Sequence, residues 1–179
     1  MEEFKELRRW MFGTREELLR FRQLLVNIVL ATDIFDKELN DLRKRRWARA
    51  FSDVKEGEDV HDLRATIVME HIIQASDVSH TMQHWHVYRK WNKKLFMELY
   101  RAYKEGRSDT DPSIGWYKGE IGFFDFYLIP LAKKLESCGV FGVSSDEYLD
   151  YATANRHEWV TKGQEIVKEY VEEAQKLYA

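Results

Sequence analysis

Residues 83–105 read QHWHVYRKWNKKLFMELYRAYKE, and their pattern decides the fold. Tyr88, Trp91, Leu95, Leu99 and Tyr103 recur at steps of three and four, so an apolar stripe runs along a helix whose other sides carry Lys and Arg. No proline or glycine interrupts the run. The spacing predicts a helix from about 83 to 105 with this single face buried.

The same period extends in both directions. Upstream, Ile67, Met69, Ile72 and Ile73 mark a helix over about 62–76, broken at Ser76-Asp77-Val78-Ser79-His80. A longer helical pattern covers 15 to about 51, with Leu18, Leu25, Ile28 and Val29 as its apolar members. Thr14 followed by Glu17 is a capping box that opens it. Its middle, 24–31, is apolar on nearly every side, as in a helix running through a core. Residues 53–59 are polar, include Gly57, and read as a loop.

Downstream, 106–115 form a turn-rich loop with Asp109, Asp111 and Pro112. A helix over about 119–137 carries Ile121, Phe124, Leu128, Leu131 and Leu135 on one face and Phe123 and Phe126 on another, with a kink expected at Pro130. After a break at 138–142, Ser144 and Glu147 form a capping box for a last helix, which Gly163 is expected to bend. No strand pattern and no repeat interrupts this series. The class is all-α, a compact helical array in which residues 1–179 make a single domain.

Composition narrows the partners. A net charge of -3 provides no basic field for nucleic acid, and the run Arg43-Lys44-Arg45-Arg46 reads as a solvated helix face. With Cys138 the only cysteine, an internal disulfide and a cysteine-based zinc site are ruled out. No apolar run approaches the roughly 20 residues of a membrane span, so the chain has no membrane segment. The first residues lack a signal-peptide core. A cytoplasmic setting is expected, with any membrane attachment left to other parts of a parent protein.

Two places carry chemistry. Asp77 follows Ile72, Ile73 and Ala75 and precedes Val78, where a buried carboxylate needs a cation or donors. It would serve either as a metal ligand or as the residue that ends this helix and caps the next. His80, His84 and His86 cluster just beyond it, with His61 and His71 before. His80 and His84 would share a helix face, an arrangement that fits a divalent metal or an ordinary mixture of surface and core histidines.

Asp77, Ser79, Tyr88 and Trp91 stand at the separations found in class I cyclic-nucleotide phosphodiesterases, and the stretch 71–95 resembles that family's. Val29-Leu30-Ala31-Thr32-Asp33 is similar to its "VLATD" helix. Residues 119–126, Gly-Glu-Ile-Gly-Phe-Phe-Asp-Phe, resemble its "sQxGFxD" element, followed by the family's proline at Pro130. Asn155-Arg156-His157-Glu158-Trp159 matches its Asn-Arg-x-x-Trp. The resemblance is strongest over 24–160 and identifies the chain as the C-terminal half of an HD-type catalytic domain.

The resemblance implies hydrolysis of the 3′,5′-phosphodiester of cAMP or cGMP by a hydroxide held between two divalent metals, typically zinc and magnesium, in an intact domain. It makes Asp77 a metal ligand and Asp33 a support beside it. Phe123 becomes one jaw of an aromatic clamp on the purine. Tyr88, Trp91 and Asn92 shape the base pocket, and His80 takes the place of an asparagine found there in some members. Asp33 is not followed by the family's TDxxxH histidine, since that position is Lys37.

Two departures qualify these expectations. No HNxxH pattern occurs. The family's HD motif, which with it brings the remaining metal ligands and the catalytic histidine, precedes the VLATD helix, whereas the His-Asp pair of this chain, His61-Asp62, follows it. No catalytic residue is therefore assigned, and a partial domain, inactive by itself and partnered by a missing N-terminal half, is expected. Apolar helix faces that such a half would cover should then be exposed. The second departure is Glu120, in place of an invariant glutamine that meets the purine edge. An ionised glutamate only accepts hydrogen bonds, which favours guanine; a protonated one imitates the amide. Two other classes of reading stay open: a non-catalytic helical module that binds a nucleotide or a partner domain, and a helical bundle with chance similarity.

Overall fold

The computed structural model describes residues 4–34, 36–51, 58–139, 142 and 145–178, with the backbone alone at 58–60 and 145. They are helical with no strand, as the periodicity requires. The chain divides into two compact units, Met1–Asp77 and Val78–Ala179. No helix among the described residues is long and apolar enough to cross a membrane.

The first unit holds α1 (Lys5–Met11), α2 (Arg15–Ala31), α3 (Lys37–Phe51) and α4 (Glu58–Asp77). The capping box forms as read: Thr14 Oγ1 accepts from the Glu17 amide at 3.2 Å, and Glu17 Oε2 accepts from the Thr14 amide at 3.3 Å. The single helix expected over 15–51 is instead two helices, parted at Thr32. The Arg43 guanidinium donates to the Leu30 and Asp33 carbonyls, at 2.5 and 2.9 Å. Leu30 lies in the last turn of α2 and Asp33 two residues beyond its end, so a distant cation helps to satisfy the carbonyls at this terminus. At the other side of the break Asp36 caps α3, its Oδ1 accepting from the Leu39 amide at 3.0 Å.

α4 packs on α2 and α3 and closes their ends in the same way. Gln74 Nε2 donates to the Ala31 carbonyl at 2.6 Å, and Arg64 Nε to the Ala50 carbonyl at 2.8 Å. The buried Glu70 accepts from Arg46 at 2.6 Å. The apolar middle of α2 is not a core segment: Leu25, Val26, Val29 and Leu30 are exposed, and Ala31 is its buried residue. Of the loop expected at 53–59, residues 53–57 lie outside the described residues, and 58–59 already belong to α4, which begins at Glu58 and not near 62.

The second unit is organised by its last helix. A 3₁₀ turn (Ser79–Met82), α5 (Trp85–Lys104), α6 (Trp116–Phe123), a π-helical turn (Phe124–Leu128) and α7 (Ile129–Cys138) all pack against α8 (Ser145–Leu177). Tyr88, Phe96, Tyr100, Phe124, Leu128, Trp159, Ile166 and Tyr170 form the core. The buried residues of α5 are Tyr88, Asn92, Phe96 and Tyr100, not the whole stripe expected. Trp91, Leu95, Leu99 and Tyr103 are exposed. Tyr88 begins two apolar rows, at steps of four and of three to four, and α8 meets the first.

Pro130 follows a local perturbation of the helix, with α7 starting at Ile129 directly after a π-helical turn. Proline removes one amide and crowds the carbonyl four residues earlier, here that of Phe126. The π-helical turn at Phe124–Leu128 widens the helix just there. Gly163 lies inside the continuous α8, where a Cβ would stand 2.9 Å from both the Trp159 and Tyr117 rings. Its smallness serves close packing of α6 on α8. The cap expected at Ser144 lies outside the described residues.

Candidate functional site

A chain of hydrogen bonds runs from α6 through α5 and back to α6. Trp116 Nε1 donates to Asn92 Oδ1 at 3.2 Å, Asn92 Nδ2 donates to Tyr88 Oη at 3.4 Å, and Tyr88 Oη donates to Glu120 Oε2 at 2.7 Å. Tyr88 and Asn92 lie four apart on the buried face of α5, and Trp116 and Glu120 four apart on α6. Both helices thus present a pair of residues one turn apart to each other.

The direction of the chain follows from its first member. An indole N–H only donates, so Asn92 must turn its oxygen to Trp116 and its amide nitrogen to Tyr88. Tyr88 receives that N–H and gives its own proton to Glu120. Burial pushes the Glu120 carboxyl up from 4.5 to about 7, outweighing the lowering effect of its hydrogen bonding with Tyr88 and Asn92. Burial, and then the adjoining Glu120 charge, hold the Tyr88 phenol well above its ordinary value.

Glu120 borders a cavity of about 290 Å³, walled by Leu99, Ile114, Pro112, Trp116 and Gly119, with Ser108 and Thr110 at its polar side. The cavity is mostly apolar with few polar groups, which is the usual make-up of a small-molecule site. Gly115, at φ 94°, turns the chain into α6 and sets Trp116 at its start. A side chain other than glycine would be strained in that conformation.

The residues singled out from sequence fall in different places. Glu120, Tyr88 and Asn92 are brought together, with Tyr88 and Asn92 buried behind the carboxyl. Phe123 is partly buried on α6, stacked on Tyr127 with ring centroids 5.3 Å apart. Trp91 is 48% exposed, with Lys94 Nζ 4.5 Å above its ring and the His80 ring 6.3 Å away. Asp33 lies at the break after α2, where its carboxylate accepts from the Asp36 amide at 3.3 Å. Trp116, Leu99 and Ile114 are additions; the sequence reading ends the loop at 115 and starts this helix at about 119, whereas α6 begins at Trp116.

Asp77 is the last residue of α4 and is exposed, not embedded among apolar side chains. Zinc sites take three or four protein ligands, and among the described residues no three His, Cys, Asp or Glu side chains are grouped to hold a metal. The described residues do not, by themselves, fit a metal pair.

The Asn-Arg-x-x-Trp stretch on α8 fixes the frame around this site. Asn155 Nδ2 donates to the Thr81 and Gln83 carbonyls, at 2.9 and 2.7 Å. Arg156 forms a two-pronged ion pair with Asp125. The buried Trp159 donates to the Tyr117 carbonyl at 3.1 Å.

Comparison with known proteins points to one family. The family model of 3′5′-cyclic nucleotide phosphodiesterases matches residues 9–140. The dual specificity calcium/calmodulin-dependent 3′,5′-cyclic nucleotide phosphodiesterases 1B of Bos taurus, Cricetulus griseus and Rattus norvegicus are each 25% identical over 130 residues. The match takes in 65% of this chain and 22% of each relative, so it spans less than a quarter of their length. No solved structure matches. With residues 9–140, most of its length, matched by that one family, the chain belongs to the 3′5′-cyclic nucleotide phosphodiesterase family.

Proposed function

We propose that the chain is the purine-recognising part of a domain that hydrolyses cAMP, cGMP or both to the 5′-monophosphate. The observation that carries this reading is the Glu120 carboxyl, held by Tyr88 at the wall of an apolar cavity. In this assignment Phe123 on the same helix would offer an aromatic face, and Trp91 and His80 would contribute to the base pocket. The relatives' printed names, which include dual specificity for 3′,5′-cyclic nucleotides, support the substrate class.

Cleavage of the phosphodiester belongs to an intact domain. Zinc and magnesium would supply the nucleophilic hydroxide there, with Asp77 as one ligand, Asp33 beside it and the remaining ligands from an N-terminal half. The residues of this chain act earlier in the reaction, by binding and orienting the base. A second reading keeps the pocket without the chemistry, as a non-catalytic nucleotide-binding or interaction module.

Calorimetric titration of the chain with cAMP and cGMP tests the shared part of both readings. Saturable binding that Glu120→Ala weakens at least about tenfold is expected. Failure of both nucleotides to bind would remove the assignment. Hydrolysis assays with zinc and magnesium, with and without a co-expressed N-terminal half, separate the two. Turnover with the half present supports the enzyme; none in either case leaves the module.

A further inference from the structure

We propose that Glu120 Oε1 is a proton-controlled selector of the ligand's hydrogen-bonding edge, so that the preferred base changes with pH. The proposal rests on the purine-recognition reading above and concerns how that same site chooses. Ionised, Oε1 accepts, and suits an edge with an N–H donor, as in guanine. Protonated, it donates, and suits an edge with a ring-nitrogen acceptor, as in adenine.

The geometry decides which oxygen does this. Oε2 is already the acceptor for Tyr88 Oη at 2.7 Å. That phenol cannot turn round, because the donor-only indole of Trp116 fixes Asn92, and Asn92 Nδ2 points at Tyr88 Oη. A proton placed on Oε2 would face the proton of Tyr88. The carboxyl proton is therefore assigned to Oε1, with the Asn92 amide as the other neighbour of the carboxyl, and Oε1 is taken as the oxygen offered to a ligand in the cavity that Glu120 borders. A glutamine at this position would carry one fixed pair of donor and acceptor; a carboxyl changes its pattern by gaining or losing one proton.

The surroundings let Glu120 titrate alone near neutrality. Facing it are Tyr88 from α5 and Tyr170 from α8. Burial raises both phenols, Tyr170 to about 12, so each stays neutral. The Arg89 carbonyl accepts from the Tyr170 hydroxyl at 3.2 Å, and the Arg89 guanidinium is paired with Glu169. Across the cavity stand the Ser108 and Thr110 hydroxyls, which do not titrate. Burial brings Glu120 itself to about 7, within the range where both forms are populated.

Affinities of the wild-type chain for cGMP and cAMP, measured between about pH 6 and pH 8, test the proposal. The ratio of cGMP to cAMP affinity should rise with pH, by up to about tenfold per unit, and should be flat in Glu120→Gln. A flat ratio in the wild type overturns the selector while leaving base recognition standing. Absence of binding by either nucleotide at every pH overturns both. The wild-type ratio decides by itself if the variant fails to fold.

Discussion

Tyr88 Oη stands 2.7 Å from Glu120 Oε2 and donates to it across the α5–α6 packing, 32 positions away in sequence. One side of a half-buried carboxyl is thereby satisfied by a group that is itself buried and oriented from behind. The pair joins the core of the second unit to the wall of the cavity, so stability and ligand choice depend on the same atoms.

Replacing Glu120 with Gln should stabilise the fold at neutral and alkaline pH. The folded protein keeps the Glu120 proton to about 7, whereas the ordinary value is 4.5. A raised carboxyl favours folding fully below the unfolded value and loses that contribution as pH rises through the folded one. The variant has no such loss. Urea unfolding at about pH 4 and about pH 8 should show Glu120→Gln gaining on wild type by on the order of 2–3 kcal/mol across that interval. An unchanged difference would mean that the carboxyl is not titrating in a buried setting.

Tyr88→Phe removes the donor and leaves the carboxyl in place. Loss of this bond should cost roughly 1–2 kcal/mol in urea unfolding at about pH 8, where Glu120 is ionised. Because the Tyr88 bond lowers the Glu120 pKa, its removal should move the titration midpoint above about 7. Carboxyl NMR of Glu120 against pH reads this directly, and a midpoint that falls would contradict the donor direction assigned to Tyr88.

Asn155→Ala leaves two carbonyls, those of Thr81 and Gln83, without their shared donor. The residue is 1% exposed, so water does not readily replace the lost bonds. A loss of roughly 2–3 kcal/mol is expected in thermal or urea unfolding. Asn155→Asp should be no better, since a carboxylate in the same place only accepts. A near-neutral alanine variant would show that the 3₁₀ turn is held by other means.

Gly163→Ala sets two effects against each other. Helix propensity favours alanine by about 1 kcal/mol. The added Cβ, however, would lie 2.9 Å from two rings, and Trp159 is both fully buried and bonded to the Tyr117 carbonyl. Overpacking of this kind costs about 1–3 kcal/mol, so a net loss of about 1 kcal/mol in stability is expected. A gain in melting temperature would mean that α6 and α8 part easily.

Local signals were legible where a neighbour in sequence supplies the partner. The Thr14–Glu17 capping box and the extent of α5 belong to this class, as both depend on residues within a turn or two. The break at Thr32 was hidden because it depends on Arg43, which reaches back 13 residues to the Leu30 carbonyl. The apolar period runs on through the break and so masks it. On α5, two apolar rows compete, and only the position of α8 selects the row 88, 92, 96 and 100 as the buried one.

The site shows the same division. Glu120, Tyr88 and Asn92 were recognisable from motif order, and the structure joins them. Trp116 was not, because its part is to orient Asn92 across a packing contact and nothing in its immediate neighbours signals that. Asp77 read as buried from its apolar neighbours in sequence, but those residues occupy other sides of α4, and its own side points outward at the helix end.

The widened turn at Phe124–Leu128 has a consequence for angular phase along the rod formed by α6 and α7. In an α-helix each residue advances the azimuth by about 100°, and an over-wide turn breaks that count. Trp116 and Glu120 are thus clocked separately from Leu131 and Leu135, though all four share one rod. The downstream half can be rotated to suit α8 by small changes near Pro130 while the carboxyl keeps its aim at Tyr88, which makes this turn a joint between scaffold and recognition.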